Sequence, residues 1–115
     1  MRWYDAAEIG LEGQGWRDVA TPYDRLPARA ESLVRPVVWQ LSQDSAGLLV
    51  RFQTDATRIA ARWYVRKAQL ALPYMAAVGV SGLDLYAQDG QGRYRWAAIG
   101  RPLEVENEAV LADGI

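Results

Sequence analysis

Apolar and polar residues alternate with a period of two in the middle of the chain. The clearest case is the stretch "RIAARWYVR" at 58–66. One face holds Ile59, Ala61, Trp63 and Val65, and the other holds Ala60, Arg62, Tyr64 and Arg66. The stretch "LLVRFQT" at 48–54 alternates in the same way. This period is typical of half-buried strands, so both stretches are predicted to be β-strands.

A hairpin is predicted further along the chain. "GLDLYAQ" at 82–88 and "RYRWAAIG" at 93–100 flank "DGQG", whose glycines suit a tight connection. On the second of these strands Tyr94, Trp96 and Ala98 are expected to share one face. "LEVENEAVL" at 103–111 alternates more weakly and suggests one more strand.

The remaining stretches are less regular. Residues 1–35 are expected to be mostly irregular, "PVVWQLS" at 36–42 is interpreted as the first short strand, and 67–77 fits either helix or loop. Short strands separated by turns predict an all-β fold, an antiparallel β-sandwich resembling a jelly roll. We expect one module over 1–115, in which 103–115 begins further strands or a linker. Five or six strands are few for a closed sandwich, so a truncated C-terminus is also expected.

Composition narrows the chemistry that this chain can perform. A net charge of -1 gives no general attraction to nucleic acid. The sequence contains no cysteine and no histidine, which excludes a thiol nucleophile, a Ser-His-Asp triad and histidine-based zinc sites. We therefore expect no catalytic residues, no metal and no cofactor. No apolar run is long enough for a signal peptide or a membrane span, and a cytoplasmic location follows if Met1 is the natural start.

Two groups of residues are candidate sites. Gly79-Val80-Ser81-Gly82-Leu83 resembles a nucleophile elbow, but Leu83 stands where that motif needs glycine. A turn that enters a strand is the better interpretation of Ser81. Exposed aromatic rings beside arginines can bind sugars, and the candidates are Arg62, Tyr64 and Trp96. A solvated strand face is the simpler alternative for them.

Gly82-Leu83-Asp84-Leu85-Tyr86 carries a family resemblance. With "RLPARA" at 25–30, "VVWQLSQDSAGLLVRFQTDATRI" at 37–59 and "YMAAVGVSGLDLYAQD" at 74–89, it resembles the GxDLY N-terminal domain of SGNH-hydrolase-type esterases. The resemblance implies a β-sandwich that precedes a flavodoxin-like hydrolase domain. That hydrolase domain carries a Gly-Asp-Ser block and a late Asp-x-x-His pair, and this sequence contains neither.

The resemblance therefore implies a non-catalytic accessory module of a bacterial esterase that acts on acylated carbohydrate or a related ester. Its partner would be the C-terminal hydrolase domain of the same protein, with neither nucleic acid nor membrane involved. Tyr74, Met75, Asp84 and Tyr86 are the candidates for the domain contact. Family members often have histidine where this chain has Tyr74, which puts any role of that histidine in doubt here. The alternatives are an autonomous carbohydrate-binding module and a self-associating domain.

Overall fold

The computed structural model describes residues 1–115, which form two compact units, Met1–Thr54 and Asp55–Ile115. Strands contribute more residues than helices, and the strands form three two-stranded antiparallel sheets without a closed barrel. The structure therefore confirms mostly antiparallel β-structure with few helices.

The first unit combines short helices with one small sheet. Its elements are α1 (Ala6–Ile9), β1 (Leu11–Glu12), a 3₁₀ helix (Ala28–Ser32), α2 (Pro36–Ser42) and β2 (Leu49–Val50). Strands β1 and β2 pair antiparallel, and the Arg51 guanidinium binds the Glu12 carboxylate beside them. Its hydrogen bond holds the pKa of Glu12 below the ordinary value.

The prediction of a strand at "PVVWQLS" is wrong, because this stretch is helix α2. Pro36 occupies the first turn, where its fixed φ suits a helix and its missing N–H costs nothing. The N–H groups of Val38 and Trp39 both donate to the carbonyl of Arg35.

The strand predicted at 48–54 is shorter than expected, since only Leu49–Val50 pairs with the two-residue β1.

The second unit contains four strands and one short helix. They are β3 (Arg58–Tyr64), α3 (Ala77–Ser81), β4 (Leu83–Gln88), β5 (Tyr94–Gly100) and β6 (Glu106–Asp113). β3 pairs antiparallel with β6, and β4 pairs antiparallel with β5. The predicted alternation in β3 is confirmed, since Ala61 and Trp63 are half-buried while Arg62 and Tyr64 are exposed.

Trp63 joins the two sheets of the second unit. Its indole Nε1–H donates to the carbonyl of Ser81 at 2.8 Å. The far edge of its ring lies against Gly100 at the end of β5, where an added Cβ would be 2.9 Å from Cη2 of Trp63 and 3.4 Å from Cδ2 of Leu111. One side chain of β3 thus packs on β5 and hydrogen-bonds to the end of α3.

The chain leaves an unusually large area in contact with solvent. No large side chain is fully buried, and the accessible surface is 8778 Å². A folded monomer of this mass exposes about 6,300 Å² on average. Even two separate domains of half the mass would together expose only about 7,600 Å². The surplus is apolar in part, since many large hydrophobic side chains are exposed in both units.

Candidate functional site

Asp89 holds together the turn that connects β4 to β5. Its Oδ1 accepts hydrogen bonds from the N–H groups of Gln91 at 2.8 Å and Arg93 at 3.0 Å. Its Oδ2 accepts a third from Nε of Arg95 at 2.7 Å. Gly92 has a φ of +80°, a conformation that favours glycine. The predicted hairpin at "DGQG" is confirmed, and this turn fixes how the two strands pair.

Acid should weaken the hairpin, because the bonds of this turn need an ionised carboxylate. The Arg95 hydrogen bond, followed by those from Arg93 and Gln91, holds the pKa of Asp89 below its ordinary 3.8. A lowered folded-state pKa contributes stability above the unfolded-state pKa, and that contribution is lost as the pH falls through the folded-state pKa. We expect Asp89→Asn to lower the melting temperature at neutral pH, and the difference from wild type to vanish in strong acid.

Asp44→Asn provides the control for this pH series. Asp44 is an exposed carboxylate for which the structure shows no side-chain partner. Its replacement should change the melting temperature little at any pH. A difference between wild type and Asp89→Asn that stays constant from neutral to acidic pH would contradict the assignment.

One face of the hairpin carries a carboxylate among exposed aromatic rings. Tyr86 lies directly opposite Trp96 in the register, and the indole Nε1–H of Trp96 donates to Oδ1 of Asp84 at 3.4 Å. Tyr86, Trp96 and Tyr94 are 54%, 57% and 51% exposed. We call Asp84, Tyr86, Tyr94 and Trp96 the aromatic face. The aromatic face therefore contains Asp84 and Tyr86, which are predicted for the domain contact, and Trp96, which is predicted for sugar binding.

A β-bulge determines which residues share this face. The register shifts between Leu85 and Tyr86, so Leu85 pairs with Ala98 while Tyr86 pairs with Trp96. The expectation that Ala98 shares a face with Trp96 is therefore wrong, because the extra residue at position 97 moves Ala98 to the side of Leu85. Counting outward from the turn would have predicted the Tyr86–Trp96 pair. No signal in the sequence marked the bulge.

Gly82, the first residue of the motif, lies where the backbone of α3 comes close to the end of β5. Its N–H donates to the carbonyl of Val78 in the first turn of α3. A Cβ at this position would lie 2.7 Å from the carbonyl oxygens of both Val78 and Gly100. Glycine is therefore needed here for close approach, although its φ of -95° is open to any residue.

Ser81 has a structural role. It is 8% exposed, and its Oγ donates to the carbonyl of Leu70 at 2.9 Å. Its own carbonyl accepts the hydrogen bond from Trp63. The local order is helix and then strand, which is the reverse of a nucleophile elbow. These contacts agree with the interpretation of residues 79–83 as a structural connection that enters a strand.

Tyr74 and Met75 lie in a tight turn before α3 and not on the hairpin. The turn is closed by reciprocal backbone bonds between Leu72 and Met75. Tyr74 is 84% exposed, whereas the Met75 side chain lies over Gly79 of α3. They are placed on a different segment from Asp84 and Tyr86, the other two candidates for the domain contact.

Arg62 and Tyr64 lie on β3, on a different sheet from Trp96. Nε of Arg62 donates to Oε1 of Glu108 at 2.8 Å, and Tyr64 is 78% exposed opposite Glu106. Both line an open groove of about 700 Å³ together with Leu103. The structure thus divides the predicted sugar-binding residues between this groove and the aromatic face.

No group of three or more histidine, cysteine, aspartate or glutamate side chains is arranged to hold a metal ion. None of the helices has the length and apolar character needed to cross a membrane.

Comparisons with known proteins identify the family. The model for the GxDLY domain, described as the N-terminus of SGNH-hydrolase-type esterases, matches residues 1–114. A crystal structure described as a GDSL-like lipase, from Bacteroides ovatus ATCC 8483, is similar with a TM-score of 0.86 and 32% identity over 95% of this chain. The match spans 32% of that chain, about a third of its length. A search among curated proteins found no match. The chain belongs to the family of GxDLY N-terminal domains of SGNH-hydrolase-type esterases.

Proposed function

We propose that the chain is a non-catalytic accessory module of an SGNH-type esterase. Ester hydrolysis would belong to a C-terminal hydrolase domain of the same protein. The absence of histidine carries this proposal, because the chain cannot supply the general base of a Ser-His-Asp triad. The hydrogen bonds that engage Ser81 on both its Oγ and its carbonyl support it further.

We also propose that the sheets of the second unit are part of a jelly-roll-like β-sandwich. The packing of Trp63 and Leu111 against Gly100 supports this, since it brings side chains of β3 and β6 onto the end of β5. In such a sandwich, the half-buried residues of β3 and β6 would belong to the shared core.

A chain without an active site should not turn over an ester. The purified 115-residue chain is expected to hydrolyse p-nitrophenyl acetate no faster than buffer alone, and Ser81→Ala is expected to behave identically. The measurement is the release of p-nitrophenol over time. Activity that remains constant through purification and disappears in Ser81→Ala would overturn the proposal.

The coding sequence offers a second test. The gene should continue in frame into a domain with a Gly-Asp-Ser block and a later Asp-x-x-His pair. A gene that encodes no such domain would refute the accessory role.

Carbohydrate binding is the second candidate function. Exposed rings beside a carboxylate, as on the aromatic face, are suited to stacking on a sugar ring and to accepting hydrogen bonds from its hydroxyl groups. The esterase as a whole would then act on acylated carbohydrate. Tryptophan emission that shifts on titration with acetylated xylo-oligosaccharides would favour this candidate, and unchanged emission would count against it.

A further inference from the structure

The four specified residues of the family motif divide into two sets. Packing within the chain accounts for Gly82, which fits between α3 and β5, and for Leu85, which is half-buried on the inner side of the hairpin. Asp84 and Tyr86 are both exposed on the aromatic face. Within the chain Asp84 makes one long hydrogen bond, with Trp96, and Tyr86 is 54% exposed. A carboxylate among clustered exposed rings is typical of a surface that contacts something outside the fold.

The size of the exposed surface fits contact with another protein domain. A stable interface buries about 800 Å² on each partner. The accessible surface of 8778 Å² exceeds by about 1,200 Å² even that of two half-mass domains. Three half-exposed rings in one place are the kind of anchor that dominates interface energies. The surplus is spread over both units, so the rings of the aromatic face, and not the total area, indicate where an interface lies.

The polar groups of the face favour a protein partner over a sugar. Asp84 accepts one long hydrogen bond, from Trp96, so most of its acceptor capacity is open to a donor from outside. Gln88 lies on the same side of the hairpin, but its amide nitrogen is bonded to the carbonyl of Gly92 in the turn. A sugar site usually gathers its polar groups in a concave pocket, whereas the Asp84 carboxylate and the tyrosine hydroxyls of this face lie on the open side of a two-stranded sheet.

We propose that the aromatic face is the docking surface for the hydrolase domain of the same polypeptide. This inference rests on the proposed function. The Bacteroides structure supports this choice of partner, since the part of its chain outside the match is about twice as long as the matched part. The hydrolase domain would cover the three rings and place an arginine or backbone N–H donors against Asp84, because a buried carboxylate needs such partners. Tethering in one chain makes this contact intramolecular, so a face of modest area suffices.

The test compares two adjacent positions of β4 in the full-length esterase. Tyr86 lies on the aromatic face, while Ala87 is exposed on the opposite face of the same strand. The variants Tyr86→Cys and Ala87→Cys each introduce a thiol into a segment without cysteine, so a labelled peptide identifies the site. In the folded protein, the thiol at position 86 should react with a maleimide at least about tenfold more slowly than that at position 87. After unfolding in urea the two should react alike.

Equal labelling of the two folded variants would overturn the docking proposal. Should Tyr86→Cys fail to fold, hydroxyl-radical footprinting of the unmodified full-length protein replaces it. Trp96 is then expected to be oxidised several-fold more slowly than Trp16, although it is the more exposed of the two in this chain. Trp96 oxidised as fast as Trp16, or protected only after acetylated xylo-oligosaccharides are added, would also overturn the proposal.

The outcomes separate the two proposals. A full-length protein without a hydrolase domain refutes the accessory role and the docking together. An active esterase in which position 86 labels as fast as position 87 refutes only the docking surface and leaves the accessory role standing.

Discussion

Gly82→Ala should destabilise the chain by about 3 kcal/mol, because the added methyl group has no space. A Cβ at this position would lie 2.7 Å from the carbonyl oxygens of Val78 and Gly100. Both oxygens belong to the backbone, so neither can rotate away as a flexible side chain would. Either α3 or the end of β5 must move, and the close contact of Trp63 with Gly100 would then be disturbed.

Urea unfolding followed by tryptophan fluorescence measures this loss. Gly90→Ala is the matched control, since a Cβ at Gly90 meets nothing within 4 Å and its φ is not positive. It should change the free energy of unfolding by less than about 0.5 kcal/mol. Equal unfolding midpoints for the two variants would show that the contact at Gly82 is not tight in solution.

The sequence predicted best those strands whose residue pattern or flanking turn indicates a strand and which also have a partner strand in the structure. β3 alternates along most of its seven residues, β4 and β5 flank a glycine-containing turn, and all three have a full-length partner strand. "PVVWQLS" is also largely apolar, but Pro36 at its start and the lack of a partner strand favour a helix. Seven residues are too few for periodicity to distinguish the two structures.

The candidate site was only partly predictable, for a different reason. The motif led to Asp84 and Tyr86, and aromatic chemistry led to Trp96, but only the hairpin register brings the three together. The bulge beyond Leu85 then decides that Ala98 leaves the face. A bulge depends on how two strands twist and pack, and no single residue type encodes it. The family resemblance places Tyr74 with Asp84, although the two lie on different segments of the structure.

Trp63→Ala is expected to cost about 3 kcal/mol, near the lower end of the range for truncating a packed tryptophan, because the side chain is half-buried. The ring contacts Gly100 and Leu111, and the indole N–H satisfies the carbonyl of Ser81, which is itself buried. Truncation leaves a cavity between β3 and β5 and an unsatisfied carbonyl at the end of α3. Trp63→Phe keeps the inner part of the packing but loses the ring edge at Gly100 and the hydrogen bond to Ser81, so it should lose about 2 kcal/mol.

Trp96→Ala is the control, because it removes an exposed tryptophan where Trp63→Ala removes a half-buried one. Both residues are tryptophans on strands of the second unit, but Trp96 is more than half exposed and makes one long hydrogen bond. In the 115-residue chain its truncation should cost less than about 1 kcal/mol, since exposed side chains contribute little to stability. Equal losses for Trp63→Ala and Trp96→Ala in urea unfolding would mean that the aromatic face is packed within the chain itself. The face would then have no free surface to offer a hydrolase domain.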